Sequence, residues 1–411
     1  MGNAVEDAAR RPAWAGVDTH KDKNVLGLKD SLGRAVGTWE FPADPEGYDA
    51  LADRIGDVAV PVGIEGARSY GAGLASRLAE RGFRVYEVAR PSRAQRRRGK
   101  SDGIDALAAC DNLAAGRRFE AKELEGAVGE VRWLMVERDH LVGEASRIAC
   151  RVDSLLVTAD AGLRERWRGL SGAALMGALA AARTRGAAGG VLRRMARRWL
   201  EASRGAAELE SRIAVLMWSA FPALVGAPCV GAVSAARIVL AAGSNPGRIR
   251  SEAAFSMLCG TSPVEASSGK TVRHRLNRGG DRQANRAIHD IARARMSHDP
   301  RTQDYVARRA SDGKTQREAV RCLCRYIARE VYGLLTRGRP PACDPAALAG
   351  RRRAAGLTQA RAAEGAGLTR SKVGRLERMD EFDCAALARY NAFLESVEKG
   401  GGAADPGLDN I

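Results

Sequence analysis

Three short runs near the N-terminus, residues 14–18, 24–30 and 35–41, alternate β-branched or aromatic residues with polar ones, and a turn at Ser31-Leu32-Gly33 joins the last two. That alternation is a strand period, so the chain must begin as a sheet. "DPEGYDALADRIG" then reads as a helix, "VAVPVGIEG" as a buried strand, "SYGAGLASRLAERG" as a helix and "FRVYEVA" as a strand. Three sequential strands followed by alternating helix and strand predict a layered α/β domain with a mixed sheet over residues 13–118.

This order is that of the RNase H-like fold, and four acids occupy telling places in it. Asp18 ends the first strand, Glu65 ends the fourth, and Asp102 and Asp105 lie three apart at the start of a helical run, hence on one face. A carboxylate beside buried strand residues costs free energy unless something pairs with it. Four convergent carboxylates repel one another unless a cation lies between them, and hard oxygen ligands select Mg²⁺, with Mn²⁺ as the alternative. Such a site orients or activates oxygens of a phosphodiester. Each acid alone has a routine explanation: Asp102 suits a helix cap and Asp105 the helix dipole. The ordered set is what points to a metal. His20, the one histidine near the acids, suits either substrate orientation or a structural role.

The 66 Lys and Arg against 49 Asp and Glu give a formal charge of +17 and a pI near 10.0, a balance that predicts a polyanionic partner. The run "ARPSRAQRRRGKSD" places Arg90, Arg93, Arg96, Arg97, Arg98 and Lys100 beside the expected metal site, where they are read as phosphate contacts. The eight cysteines include no C-x-x-C pair, so they read as small buried hydrophobes in a reducing compartment rather than as structural zinc ligands. No apolar run reaches the ~20 residues of a membrane span and the N-terminus lacks a signal core, which predicts a cytoplasmic protein with no membrane partner.

From residue 124 to 220 apolar residues recur three and four apart, which predicts a helical connector, with "TRGAAGGVLRR" as a loop inside it. The pattern suits both a coiled-coil dimer seam and simple packing. Residues 221–337 read as a compact helical region: "LVGAPCVGAVSAARIVLAAG" as a helix-hairpin-helix, "TSPVEASSGKTVRHRLNRGG" as a long polar loop, and a following helix capped by Asp281. Residues 338–345 form a Pro-rich linker. Residues 346–396 read as a helix-turn-helix with Thr358 and Thr369 as caps and Arg370, Ser371, Lys372 and Arg375 on the recognition helix, although Gly365 and Gly367 also suit a plain helical hairpin. The tail 397–411 is expected to be disordered.

"GVDTHKD", "VGIEGARSYGAGLA", "VARPSRAQRRRGKSDGIDA" and, far downstream, "CGTSPVEASSGKTVRHRLNRGGDRQANRAIHDIA" together resemble the IS110/IS1111-type transposases, also described as DEDD recombinases of the Piv/MooV group. The resemblance spans about residues 13–335 in the right order. It implies a RuvC-like nuclease domain whose acids, here Asp18, Glu65, Asp102 and Asp105, bind Mg²⁺, then a coiled-coil connector and a C-terminal transposase domain with a nucleophilic serine. That serine is Ser268, before Gly269, with Ser267 as the neighbour that replaces it if the loop register differs. Lys270, Arg273, Arg275 and Arg278, with Asn277, surround it with donors suited to a nucleic-acid backbone. The resemblance also implies a dimer or tetramer, DNA partners at the element ends and target, and a non-coding guide (bridge) RNA that delegates sequence choice to base pairing. Two other readings stand beside it: a junction-type metal nuclease using the acids alone, and a non-catalytic DNA-binding regulator.

Overall fold

The computed structural model describes residues 11–67, 69–88, 101–183, 186–267, 274–336, 347–378 and 383–399, and divides into two compact units, Met1–Glu123 and Leu124–Ile411. In the first unit β1 (Trp14–Thr19), β2 (Lys23–Lys29) and β3 (Ala35–Pro42) lead into α1 (Pro45–Ile55), β4 (Val62–Ile64), α2 (Ala72–Glu80), β5 (Val85–Val88), α3 (Asp102–Ala114) and β6 (Arg118–Glu120). The sheet order is β3-β2-β1-β4-β5-β6. β1 runs parallel to β4 and β4 to β5, whereas β2 runs antiparallel to β1 and β3, and β6 antiparallel to β5. The mixed α/β sheet is the one the alternation predicts. β6 carries the unit past the expected boundary at residue 118, because a three-residue edge strand is too short to display a period.

The strand period sorts β1 between two layers. Ala15 and Val17 join the apolar cluster of α1 and α2, with Leu51, Ile55, Leu74 and Leu78. Gly16 and Asp18 therefore point to the opposite face, which α3 covers. Gly16 is in register with Gly27 of β2 and Gly63 of β4, so a row of glycines crosses the sheet under α3. A Cβ on Gly16 would lie 2.3 Å from the Ala106 carbonyl oxygen and 2.6 Å from the Cys110 nitrogen, both helix backbone. The helix thus rests directly on the sheet, and its first turn is brought to the end of β1. A bulky residue must displace it: Gly16→Val is expected to lower stability by about 3 kcal/mol, read as a shifted denaturation midpoint, while also displacing Asp102 from Asp18.

The second unit is mainly helical: α4 (Gly126–Thr158), α5 (Ala161–Arg166), α6 (Gly172–Ala181), α7 (Gly186–Ala220), α8 (Pro222–Val225), α9 (Ala232–Ala242), α10 (Glu252–Leu258), the strand pair β7 (Val264–Glu265) and β8 (His274–Arg275), α11 (Arg282–His298), α12 (Pro300–Ser311), α13 (Gln316–Thr336), α14 (Leu348–Ala354), α15 (Gln359–Gly365), α16 (Arg370–Glu377) and α17 (Cys384–Lys399). α4 and α7 pack as a long antiparallel pair. Arg138 of α4 reaches Glu210 at 2.5 Å and Arg198 of α7 reaches Glu144 at 3.0 Å. The far end of the pair has its own core, with Val152, Leu175, Met176 and Ala196. The near end shares one core with α8 to α17, including Ile213, Phe255, Ile288, Ile327, Leu348 and Tyr390.

Several local expectations change. "GAAGGVLRR" is the first part of α7, not a loop: burial of Gly189 and Leu192 outweighs the weak helix propensity of its glycines. α17 extends to Lys399, past the expected start of a disordered tail at residue 397. The linker 338–345 and residues 400–411 lie outside the described residues. Asp281 caps α11 by accepting from the Gln283 and Ala284 amides, and Thr358 and Thr369 cap α15 and α16. Cys110, Cys259 and Cys324 are buried, with thiols pushed up to about 12 by burial, while Cys150 is exposed. Among the described residues no helix is long and apolar enough to cross a membrane.

Candidate functional site

β1 is a central strand, and its last residues leave the sheet where α3 begins. Ser101 caps α3 by accepting from the Ile104 amide at 3.3 Å, which leaves Asp102 and Asp105 in the first turn, where the helix dipole favours negative charge. The capping role expected of Asp102 thus belongs to Ser101. Asp18 lies on the α3 face of β1. The Glu65 amide donates to the Val17 carbonyl at 3.1 Å, and Thr19 Oγ1 donates to the Glu65 carbonyl at 3.0 Å, so Glu65 continues the β1–β4 pairing.

Asp18, His20 and Asp102 offer ligand atoms that all lie within 4.8 Å of one another. His20 Nε2 stands 3.2 Å from Asp18 Oδ2 and 3.6 Å from Asp102 Oδ1. Among the described residues that nitrogen is shielded from solvent and makes no aligned hydrogen bond. Asp102 turns its other oxygen, Oδ2, to Lys23 Nζ at 3.0 Å, and the same ammonium meets Glu40 at 2.9 Å. Lys23 is therefore held ionised, its pKa raised by the hydrogen bonds to Glu40 and Asp102. Burial pushes the Asp18 carboxyl up; His20 opposes that, and the charges of Asp105 and Asp102 add to it. Of the four expected acids, the structure gathers Asp18 and Asp102 tightly and brings Asp105 close enough to act on Asp18 by its charge. Glu65 is placed beside them by its backbone, outside the compact donor set.

This donor set fits a divalent cation. Two carboxylates and an imidazole supply hard oxygen and borderline nitrogen. The shielded His20 nitrogen faces both carboxylates without an aligned hydrogen bond, and the Asp18 carboxyl is pushed up first by burial and then by the like charges of Asp105 and Asp102, a cost to its ionised form that a cation would relieve. His20 and Lys23 are the residues that sequence reasoning undervalued. His20 sits in the β1–β2 turn and Lys23 opens β2, where the His20 amide donates to the Lys23 carbonyl at 3.0 Å, and strand periodicity does not reveal what side chains at a strand end meet.

Arg90, Arg93, Arg96, Arg97, Arg98, Lys100, Ser268, Lys270 and Arg273 lie outside the described residues. β7 and β8, which flank residues 268–273 in the sequence, form a short antiparallel pair with Val264 opposite Arg275. Its base is anchored: the Asp281 amide donates to the Leu258 carbonyl at 2.6 Å, and Asn285 Nδ2 donates to the Cys259 carbonyl at 2.8 Å. Ser267 is exposed beside it. Arg275 and Arg278, with Val264 and Leu276, line a cleft of about 470 Å³. On α16, Arg370, Ser371 and Arg375 are exposed, but Lys372 is paired with Asp383 at 2.7 Å, which ties it to the module's own structure.

Residues 15–159 match the DEDD IS110 transposase family model, and residues 223–307 match the family described as Transposase IS116/IS110/IS902. No curated protein matches the chain. The two matched spans cover over half of the sequence between them, and the first contains the Asp18–His20–Asp102 cluster while the second contains the anchored β7–β8 pair. The chain therefore belongs to the IS116/IS110/IS902 family of transposases.

Proposed function

We propose that the protein cleaves and exchanges DNA strands through a DEDD-type site in an RNase H-like domain, using a divalent metal, Mg²⁺ or Mn²⁺, and a serine nucleophile. The observation that carries the reading is the convergence of Asp18, His20 and Asp102, with Asp105 acting on Asp18, inside a transposase match. The sheet order, with an antiparallel β1–β2–β3 hairpin set followed by parallel β4 and β5, supports the RNase H-like assignment.

Asp18, Asp102 and His20 would hold the cation, with Asp105 and Glu65 completing its acidic surroundings. When bound, the cation supplies Lewis-acid stabilisation of phosphate charge. Lys23 fixes the Asp102 carboxylate by taking one of its oxygens. The Ser268 hydroxyl attacks the phosphorus and gives up its proton, the P–O bond to the leaving sugar breaks and the departing sugar oxygen takes up a proton, and a phosphoserine ester keeps the cleaved linkage for exchange. Attack by a second sugar hydroxyl then releases the serine. Lys270, Arg273, Arg275 and Arg278 neutralise non-bridging oxygens, and the basic run at Arg90–Lys100 tracks the backbone.

The +17 charge suits a combined load of element DNA, target DNA and a non-coding guide RNA. The α4/α7 pair is the proposed oligomer-forming element. The capped α15 and α16 suit a helix-turn-helix that adds DNA contacts through Arg370 and Arg375. A recombination assay with element ends, target and flanking-encoded RNA tests the whole reading. Ser268→Ala is expected to abolish both the covalent protein–DNA adduct and recombination. Nicking that persists in Ser268→Ala without an adduct would favour a nuclease that uses the acids alone, and full recombination by Ser268→Ala and Ser267→Ala each would exclude the serine step.

A further inference from the structure

A second group of residues adjoins the carboxylates without belonging to them. His20, Lys21, Asp22, Lys23 and Tyr70 line a cavity of about 500 Å³. Two of these, His20 and Lys23, also touch Asp102. The cavity is thus continuous with the site where a phosphodiester would be cleaved. Tyr70 is 62% exposed. One exposed aromatic is ordinary on a protein surface, so the weight rests on how it is held and what it faces.

The backbone between β4 and α2 displays this ring deliberately. Gly66, at φ +72°, starts a tight turn in which the Ser69 amide donates to the Gly66 carbonyl at 2.8 Å. At the end of the turn a Cβ on Gly71 would lie 2.9 Å from Ile64 Cγ2 and 3.0 Å from Thr19 Cγ2. The chain just after Tyr70 is therefore pressed onto the ends of β1 and β4, and the exposed Tyr70 side chain shares its cavity with Lys21 and Lys23. An exposed aromatic ring in a cavity that lysines also line, next to a phosphate-handling centre, is the combination that receives an unpaired base.

We propose that Tyr70 is a stacking platform for an unpaired nucleobase of the DNA strand, holding the nucleotide beside the scissile phosphate. The proposal rests on the reading of the carboxylate cluster as a strand-cleavage site, and it adds a base-binding subsite to it. Tyr70 does not touch the reacting atoms; it is a positioning residue. Stacking of this kind is sequence-tolerant, so the subsite accepts any base and leaves sequence choice to other parts of the complex.

The test uses the full-length protein in Ca²⁺, with a single-stranded DNA oligomer carrying 5-iododeoxyuridine and with the same oligomer made abasic as competitor. Irradiation is expected to link the base to a peptide containing Tyr70. Tyr70→Phe should retain the link, and Tyr70→Ala should lose it while melting at the parent temperature. Tyr70→Ala should also weaken capture at this position about 10-fold or more, and the abasic oligomer should compete poorly. A crosslink map without Tyr70, equal competition by the abasic strand, or a link formed with an RNA oligomer but not with DNA would each overturn the proposal. Crosslinking needs no cleavage, so the outcome is separable from the parent reading: cleavage retained in Asp102→Asn would defeat the catalytic assignment whether or not Tyr70 is linked.

Discussion

Asp18→Asn is expected to abolish DNA strand cleavage while leaving the metal-free protein at least as heat-stable as the parent. The ionised Asp18 carboxylate is the costly form: burial disfavours it, and Asp105 and Asp102 add like charge against the single opposing His20. An asparagine keeps the shape and removes that cost. Losing a carboxylate that would hold the cation should lower the cleavage rate about 10³-fold or more, the scale of several kcal/mol of transition-state charge stabilisation. The opposite signs matter, because an acid retained for folding alone would lose stability on substitution. Parallel cleavage assays and melting curves in chelator measure both effects. A destabilised protein with normal specific activity would assign Asp18 to structure.

The second large effect is expected far along the chain, at Glu377. Its carboxylate is 5% exposed and ties together all four helices of the C-terminal module. Arg352 of α14 donates to it at 2.6 and 3.1 Å, Gln359 of α15 at 2.8 Å and Tyr390 of α17 at 2.6 Å. Burial works against the charged form, but these donors outweigh it and hold the Glu377 carboxyl below its usual range, while burial and the adjacent carboxylate push the Tyr390 phenol well above its own. Glu377→Ala leaves the Arg352 guanidinium buried and unmatched, a loss of about 3–5 kcal/mol. Hydrogen exchange across α14–α17 should rise accordingly.

The same hub has a pH signature. A carboxyl whose folded pKa lies below its unfolded value of 4.5 contributes stability above pH 4.5, and that contribution disappears as pH falls through the lowered folded pKa. The module should therefore open in acid in the parent, and Glu377→Gln should lose that acid-dependent step. The orientation of α16 relative to α15 depends on this hub, so any DNA contact by Arg370 or Arg375 should weaken with it.

Much of the first unit was legible in the sequence because strands declare themselves by period. Asp18 stood out as a charge at the end of an apolar run, and the Asp102/Asp105 pair as two acids one helical turn apart. The row of Gly27, Gly16 and Gly63 could not be seen, because register between strands is a tertiary fact. His20 was hidden by lying in the β1–β2 turn, Lys23 by standing at the strand end that opens β2, and β6, β7 and β8 by being two or three residues long. Lys372 read as a DNA contact from its helix position alone. Its partner Asp383 comes from outside α16, so only the fold reveals that the charge is already engaged.

The proposed chemistry depends on the Asp18–His20–Asp102 cluster binding a divalent cation. Titration of the full-length protein with Mn²⁺, followed by electron paramagnetic resonance, tests it most directly. A bound Mn²⁺ signal that Mg²⁺ displaces is expected in the parent, with an affinity at least about 10-fold weaker in Asp18→Asn and in Asp102→Asn. Undiminished Mn²⁺ binding in both folded variants would contradict it.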